Sequence, residues 1–198
     1  MSDPKQHELE IACQQILLPD ASVYSVQWVD LPVSVASRVN AHFLLQHYFK
    51  VVTRCTLGLI RPTATAEGVR FRLMSSRFAL LSFAPPCNEP QEAGEAVHLY
   101  ISGGFLVQPG ECDRGMFSLI SEVRGEAIRV TVQLSDYCPL LLGSSTPSAI
   151  RKLFYGLTQS YFHKVVTVRY LSSLYRELTG AKPRAGVRSV QVREGTEI

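Results

Sequence analysis

The side chains able to do chemistry in this chain are scattered, and none falls into a spacing that a reaction demands. Five histidines stand at His7, His42, His47, His98 and His163, candidates for metal ligation or proton transfer. His42 and His47 are five residues apart, which on a helix turns them to different faces. No carboxylate lies between them, as the H-E-x-x-H pattern of helical zinc sites requires. A serine or cysteine nucleophile needs an activating base and an oxyanion site, and no G-x-S-x-G is present. Ser102-Gly103-Gly104 lacks the full G-x-G-x-x-G and no helix follows it, so a bend in a strand explains it better than a phosphate cradle. Glu122 and Asp136 fall near strand ends with no second carboxylate placed to pair with them. The five cysteines, Cys13, Cys55, Cys87, Cys112 and Cys138, are widely spaced, odd in number and without a C-x-x-C pair. Free thiols in a reducing compartment are expected. No metal site and no cofactor is expected, and no reaction is assigned.

Composition narrows the function classes. The chain has 198 residues, 46% of them hydrophobic and 19% charged, with a formal net charge of +3. That charge is too small to suggest nucleic acid as a partner. A low-charge, apolar chain has surface to hide, in a partner interface or around an apolar cavity. The N-terminal residues lack the basic and apolar regions of a secretory signal, and no run reaches the ~18 apolar residues of a membrane span. The expectation is a cytoplasmic single domain over 1–198, with an ordered core over roughly 22–180. Residues 181–198, with Lys182, Arg184, Arg188 and Arg193, are expected to form a basic, solvated tail.

The elements that must position any site follow from hydrophobic periodicity. Residues 8–18 (ELEIACQQILL) set Leu9, Ala12, Ile16 and Leu17 at helix-like steps before Pro19-Asp20, which predicts a short helix. Residues 23–29 (VYSVQWV) predict a strand. From Ser34, a suitable cap, to about Leu59, the apolar residues Val35, Val39, Phe43, Leu44, Tyr48, Val51 and Val52 recur every three or four residues and predict a helix. Its last part, 51–59, also reads as a strand. Strands follow at 69–73, 78–83 and 96–107, the last bent at Gly103-Gly104, with a polar loop over 87–95. Segments 116–123 and 127–134 are joined by Arg124-Gly125-Glu126, a hairpin signal. Within the second, Ile128, Val130, Val132 and Leu134 face one way and Arg129, Thr131 and Gln133 the other.

The clearest element is C-terminal. Ser145 or Thr146 caps a helix with Pro147 in its first turn, and Gly180 and Pro183 end it. The series Ile150, Phe154, Leu157, Tyr161, Val165, Val168, Leu171, Tyr175 and Leu178 marks its apolar face, with His163, Lys164 and Arg169 falling elsewhere. Unbroken, it is about 48 Å long at ~1.5 Å per residue and must lie across a whole sheet.

This order resembles the helix-grip superfamily, which includes the START lipid-transfer domains and the polyketide-cyclase-like (SRPBCC) proteins. The resemblance lies in Trp28-Val29-Asp30-Leu31-Pro32-Val33 leading into a helix, and in the pair MFSLISEVRGEAIRVTVQL followed by the helix from Thr146. It covers roughly residues 22–180 and is one of element order, so no functional residue carries over by motif. The helix after Pro32 is longer than the family's paired short ones. The resemblance implies an α+β fold in which a curved antiparallel sheet grips the long C-terminal helix. Between them would lie a cavity for a small apolar or amphipathic ligand, lipids among the candidates. In that frame Tyr100, Phe105, Phe117, Tyr155, Tyr161 and Phe162 would line the cavity, and His98, Arg129 and Arg169 would orient the ligand. Without a cavity the same aromatics are ordinary core residues. Two rivals stand beside ligand binding: a cyclase- or hydrolase-like enzyme on the same fold, and a non-catalytic protein-interaction module. Self-association is left open.

Overall fold

The computed structural model describes residues 8–74, 76–111, 114–143 and 160–198. Eleven strands, one 3₁₀ helix and two α-helices follow one another along them. Strands β1 (Glu8–Leu17) and β2 (Val23–Pro32) form a hairpin, and the 3₁₀ helix Val33–Arg38 leads into α1 (Ala41–Cys55). Seven strands follow: β3 (Ile60–Thr65), β4 (Gly68–Leu73), β5 (Ala79–Phe83), β6 (Cys87–Gln91), β7 (Gly94–Gly103), β8 (Met116–Arg124) and β9 (Ala127–Tyr137). Helix α2 (Tyr161–Thr179), β10 (Arg184–Ser189) and the short β11 (Thr196–Glu197) close the chain.

The strands join in the order β10-β1-β2-β9-β8-β7-β5-β4-β3, with β6 on β7 and β11 on β1. Every pairing is antiparallel except β1 with β10. The sheet curves because β7 changes partner along its length: Gly94–His98 lie against β6, while Ile101 and Gly103 lie against β5. The bend expected at Gly103-Gly104 falls at that change, with both residues at positive φ. A Cβ on Gly104 would stand 2.5 Å from the Leu80 carbonyl oxygen, so only glycine admits this approach.

One face of the sheet carries both helices, giving the α+β arrangement expected: a curved, mostly antiparallel sheet gripping a C-terminal helix. Alternation supplies the inner face, with Val97, Leu99 and Ile101 from β7, Phe117 and Leu119 from β8, and Ile128, Val130 and Val132 from β9. The hairpin β8–β9 matches the sequence reading nearly residue for residue. Helix α1 is capped by Asn40, whose side chain accepts from the Phe43 backbone N–H at 2.8 Å. Ser34 instead lies in the 3₁₀ turn. We expect Asn40→Ala to cost about 1 kcal/mol in urea unfolding, the usual loss when an N-cap acceptor is removed.

Several expectations are corrected. Residues 8–17 form a strand, not a helix. Burial from Ile11 to Leu17 is continuous, because α2 lies on one side of β1 and the C-terminal segment on the other, so no alternation survives to mark a strand. The tail is exposed, as expected, but it is not a free end. Residues 184–189 pair in parallel with β1. Beyond them the Gln14 amide holds the chain, its oxygen accepting from the N–H groups of Val192 and Arg193 and its nitrogen donating to the Arg193 carbonyl. The Arg193 guanidinium stacks over Tyr24, 4.4 Å from the ring centre, at the small outer cluster Ile16, Tyr24 and Val26. The ordered structure therefore reaches past 22–180 on both sides. The polar segment 87–95 is a hairpin of β6 with β7.

In α2 the buried residues are Val166, Thr167, Tyr170, Leu171, Leu174 and Leu178. The inward stripe thus lies beside the one expected, and Tyr161 is exposed. Gly180 ends the helix in the left-handed region, as its type predicts. The expected start at Ser145–Pro147, and Ile150, Phe154 and Leu157, lie outside the described residues. Among the described residues, no helix is long and apolar enough to cross a membrane.

Candidate functional site

Between the inner face and the two helices lies a cavity of about 130 Å³, adjoined by a second chamber of about 60 Å³. Both are walled by Tyr48 of α1, Phe71 of β4, Leu81 of β5, Leu134 and Tyr137 of β9, and His163 of α2. Phe83, Ile101 and Phe117 complete the smaller chamber. Val52, Ile60, Leu80, Leu106, Phe162 and Val166 complete the larger.

Local structure explains why these side chains converge. Leu134 and Tyr137 are three residues apart, yet both point inward. Asp136 between them takes φ 52°, and the pairing slips there, with Ser25 opposite Leu134 and Val23 opposite Tyr137. This bulge re-aims the strand end. The Tyr137 hydroxyl donates to the Leu106 carbonyl at 2.7 Å, which fixes the loop after β7 as a wall. Tyr48 packs on Phe117 with tilted rings whose centres are 4.8 Å apart, and it meets Tyr170 edge-on at 5.2 Å. Burial holds the Tyr48 phenol well above its usual pKa, so it remains a neutral O–H.

Besides the phenols of Tyr48 and Tyr137, His163 is the polar side chain among the described residues of an otherwise apolar wall. Its Nε2 is buried without a hydrogen-bond partner among the described residues. Desolvation lowers its pKa from 6.5 to about 4. The ring is therefore neutral at pH 7 and offers one nitrogen as donor or acceptor. No carboxylate, lysine or arginine is among the described residues lining either chamber. The geometry suits an uncharged ligand with one hydrogen-bonding group.

The same imidazole makes stability depend on pH. The unfolded chain takes up its proton near pH 6.5 and the folded chain only near pH 4, so stability present above the higher value is lost as pH falls toward the lower. We expect His163→Leu to flatten this slope, removing about 2 kcal/mol of the loss between about pH 7.5 and pH 5 in urea titrations. His47, also lowered chiefly by burial, acts in the same direction in both proteins, so the difference isolates His163.

The residues expected to line the cavity divide. Phe117 and Phe162 do so. His98 and Tyr100 stand on the opposite face of β7, because strand alternation turns Val97, Leu99 and Ile101 inward. His98 Nδ1 lies 2.8 Å from the Ser118 hydroxyl and Nε2 3.1 Å from Glu89. Arg129 is on the outer face of β9, held by both Asp30 carboxylate oxygens at 2.7 and 2.8 Å and stacked on Trp28. Arg169 lines a separate groove with Arg54, Arg176 and Lys182 on the outer side of the helices. Phe105 is exposed and packs on Phe78 at 5.1 Å, and Tyr155 lies outside the described residues. The sequence marks His163 only as one of five scattered histidines and does not place it in the cavity, because it belongs to no motif and falls off the expected apolar series. Its one signal is position, a histidine three residues before Val166 on a helix whose apolar residues occupy two neighbouring stripes.

No family model matches the chain, and no curated protein matches it. Among solved structures, the crystal structure of CalU16 from Micromonospora echinospora aligns with a TM-score of 0.33 at 13% identity, over 85% of this chain and 89% of that one. The solution NMR structure of the same protein aligns at 0.35 and 14%, over 85% and 77%. The crystal structure of human STARD10 aligns at 0.38 and 8%, over 86% and 77%. At these scores the likeness assigns no family, and function must be argued from the cavity.

Proposed function

We propose that the protein binds a small, uncharged, largely apolar molecule in the cavity between sheet and helices, with its one polar group on His163. The observation that carries this reading is an apolar chamber into which a neutral imidazole nitrogen is buried without a partner among the described residues. A buried polar atom left without a partner costs about 1–3 kcal/mol, and a ligand hydroxyl or carbonyl removes that cost. Size narrows the class. An apolar cavity of about 150 Å³ accepts benzene, so chambers of about 130 and 60 Å³ match one or two aromatic rings better than a sterol. Catalysis has no comparable support, since the described residues of the lining offer no carboxylate or cation to pair with the imidazole.

The test is a thermal-shift and calorimetric series with indole, 1-naphthol, a medium-chain fatty acid and a sterol. The reading predicts saturable stabilisation by the first two, weaker or none by the anionic fatty acid, and none by the sterol. Because a ligand bound at 100 times its Kd adds about 2.7 kcal/mol to folding stability, the shift is readily measured. Absence of a saturable shift with both ring compounds would overturn it.

A further inference from the structure

The cavity reaches the surface beside Ile60, Leu80 and Phe162, lining residues that are not fully buried. Around this mouth three loops present large apolar side chains to water. Leu57 is 92% exposed and Met74 56%. Both are non-glycine residues at left-handed φ, 51° and 54°. The backbone strain and the wetted apolar surface are two separate costs that water does not repay. The loops form one patch. The Met74 N–H donates to the Leu59 carbonyl at 2.6 Å, Leu73 N–H donates to Phe78, and the Phe78 ring meets Phe105. Leu73 stands directly opposite Ile60 of the cavity wall, so patch and mouth are continuous.

Among the described residues, three arginines flank these loops. Arg61 and Arg72 are direct cross-strand neighbours on β3 and β4, a like-charge pairing that is unfavourable unless an anion lies between or near them. Arg77 is in the loop between Met74 and Phe78. Among the described residues none of these three arginines has a carboxylate partner.

We propose that this rim docks on an anionic lipid bilayer, with Leu57, Met74, Phe78 and Phe105 entering the interface and Arg61, Arg72 and Arg77 meeting lipid phosphates. Single apolar side chains raised on tight turns fit between head groups, whereas a protein partner calls for a broader complementary surface. The proposal rests on the cavity reading in one respect: an apolar ligand enters through the mouth without crossing water.

The test is flotation with phosphatidylcholine vesicles, alone and with about 30 mol % phosphatidylserine. Expected are binding to the anionic vesicles, release by high salt, and at least a tenfold loss of binding in a Leu57→Asp/Met74→Asp variant and in an Arg61→Gln/Arg77→Gln variant. All four positions are exposed, so both variants fold, which far-ultraviolet circular dichroism and urea unfolding check independently of either reading. Equal binding to both vesicle types, no binding to either, or unchanged binding by the Leu57→Asp/Met74→Asp variant overturns the docking proposal, as does occupation of the rim by a protein alone. Naphthol binding that persists while vesicle binding fails would leave the cavity reading intact, and the converse would refute the cavity reading only.

Discussion

Tyr170→Ala lowers unfolding free energy by about 3–5 kcal/mol, the range for deleting a large buried ring. Tyr170 is fully buried on α2, at the point where that helix crosses α1. Its ring meets Tyr48 edge-on at 5.2 Å and His47 at 5.5 Å, and its hydroxyl donates to the Leu44 carbonyl at 3.3 Å. Truncation removes the packing between the helices and leaves a hole beside Tyr48, which itself walls the cavity. Tyr170→Phe keeps the ring and loses only one long hydrogen bond, a cost of about 0.5–1.5 kcal/mol. Urea unfolding of the two variants separates packing from hydrogen bonding. Equal losses in both would show that the ring contacts contribute little.

Leu134→Trp has the largest expected effect on binding. Leu134 is half-buried and lines both chambers, so an indole at this position fills the room that a ligand needs. Affinity for 1-naphthol is expected to fall at least tenfold, equivalent to about 1.4 kcal/mol, while stability changes by less than about 1 kcal/mol because the cavity accepts the added volume. Leu134→Ala enlarges the same space and should shift preference toward larger ring systems. Calorimetry on the three proteins checks both statements. Unimpaired binding in the tryptophan variant would put the ligand elsewhere.

Much of this scaffold was legible in the residues, and the parts that were not have identifiable physical causes. The β8–β9 hairpin declared itself because one face is buried and the other wet, so Ile128, Val130 and Val132 alternate with Arg129, Thr131 and Gln133. Strand β1 hid because both of its faces are covered, which erases the alternation. Strand β10, sequence RAGVRS, has almost no apolar pattern, and the hydrogen bonds that β1's open edge supplies to it leave no trace in sequence. Helix α2 was recognisable by its period and its Gly180 stop, but not by its rotation. Val165 and Val166, Tyr170 and Leu171, and Leu174 and Tyr175 occupy two adjacent stripes, so periodicity alone does not choose the inward one. That small rotation brings His163 into the cavity wall.

The candidate site was less legible than the fold. Its aromatic character and its place between sheet and terminal helix followed from the element order, and Phe117 and Phe162 lie there. The polar residues did not follow. His98 and Arg129 are satisfied on the outer face by Ser118, Glu89 and Asp30. The inward turn of Tyr137 depends on a bulge at Asp136 that no local residue pattern announces.

Whether a small neutral ligand fills the chamber and bonds to the ring of His163 is read from side-chain nitrogen NMR during a 1-naphthol titration. A saturable shift of the His163 ring nitrogens, with His98 unmoved and the response lost in Leu134→Trp, is the predicted result. Saturable binding that leaves the His163 nitrogens unchanged would contradict the bond to His163.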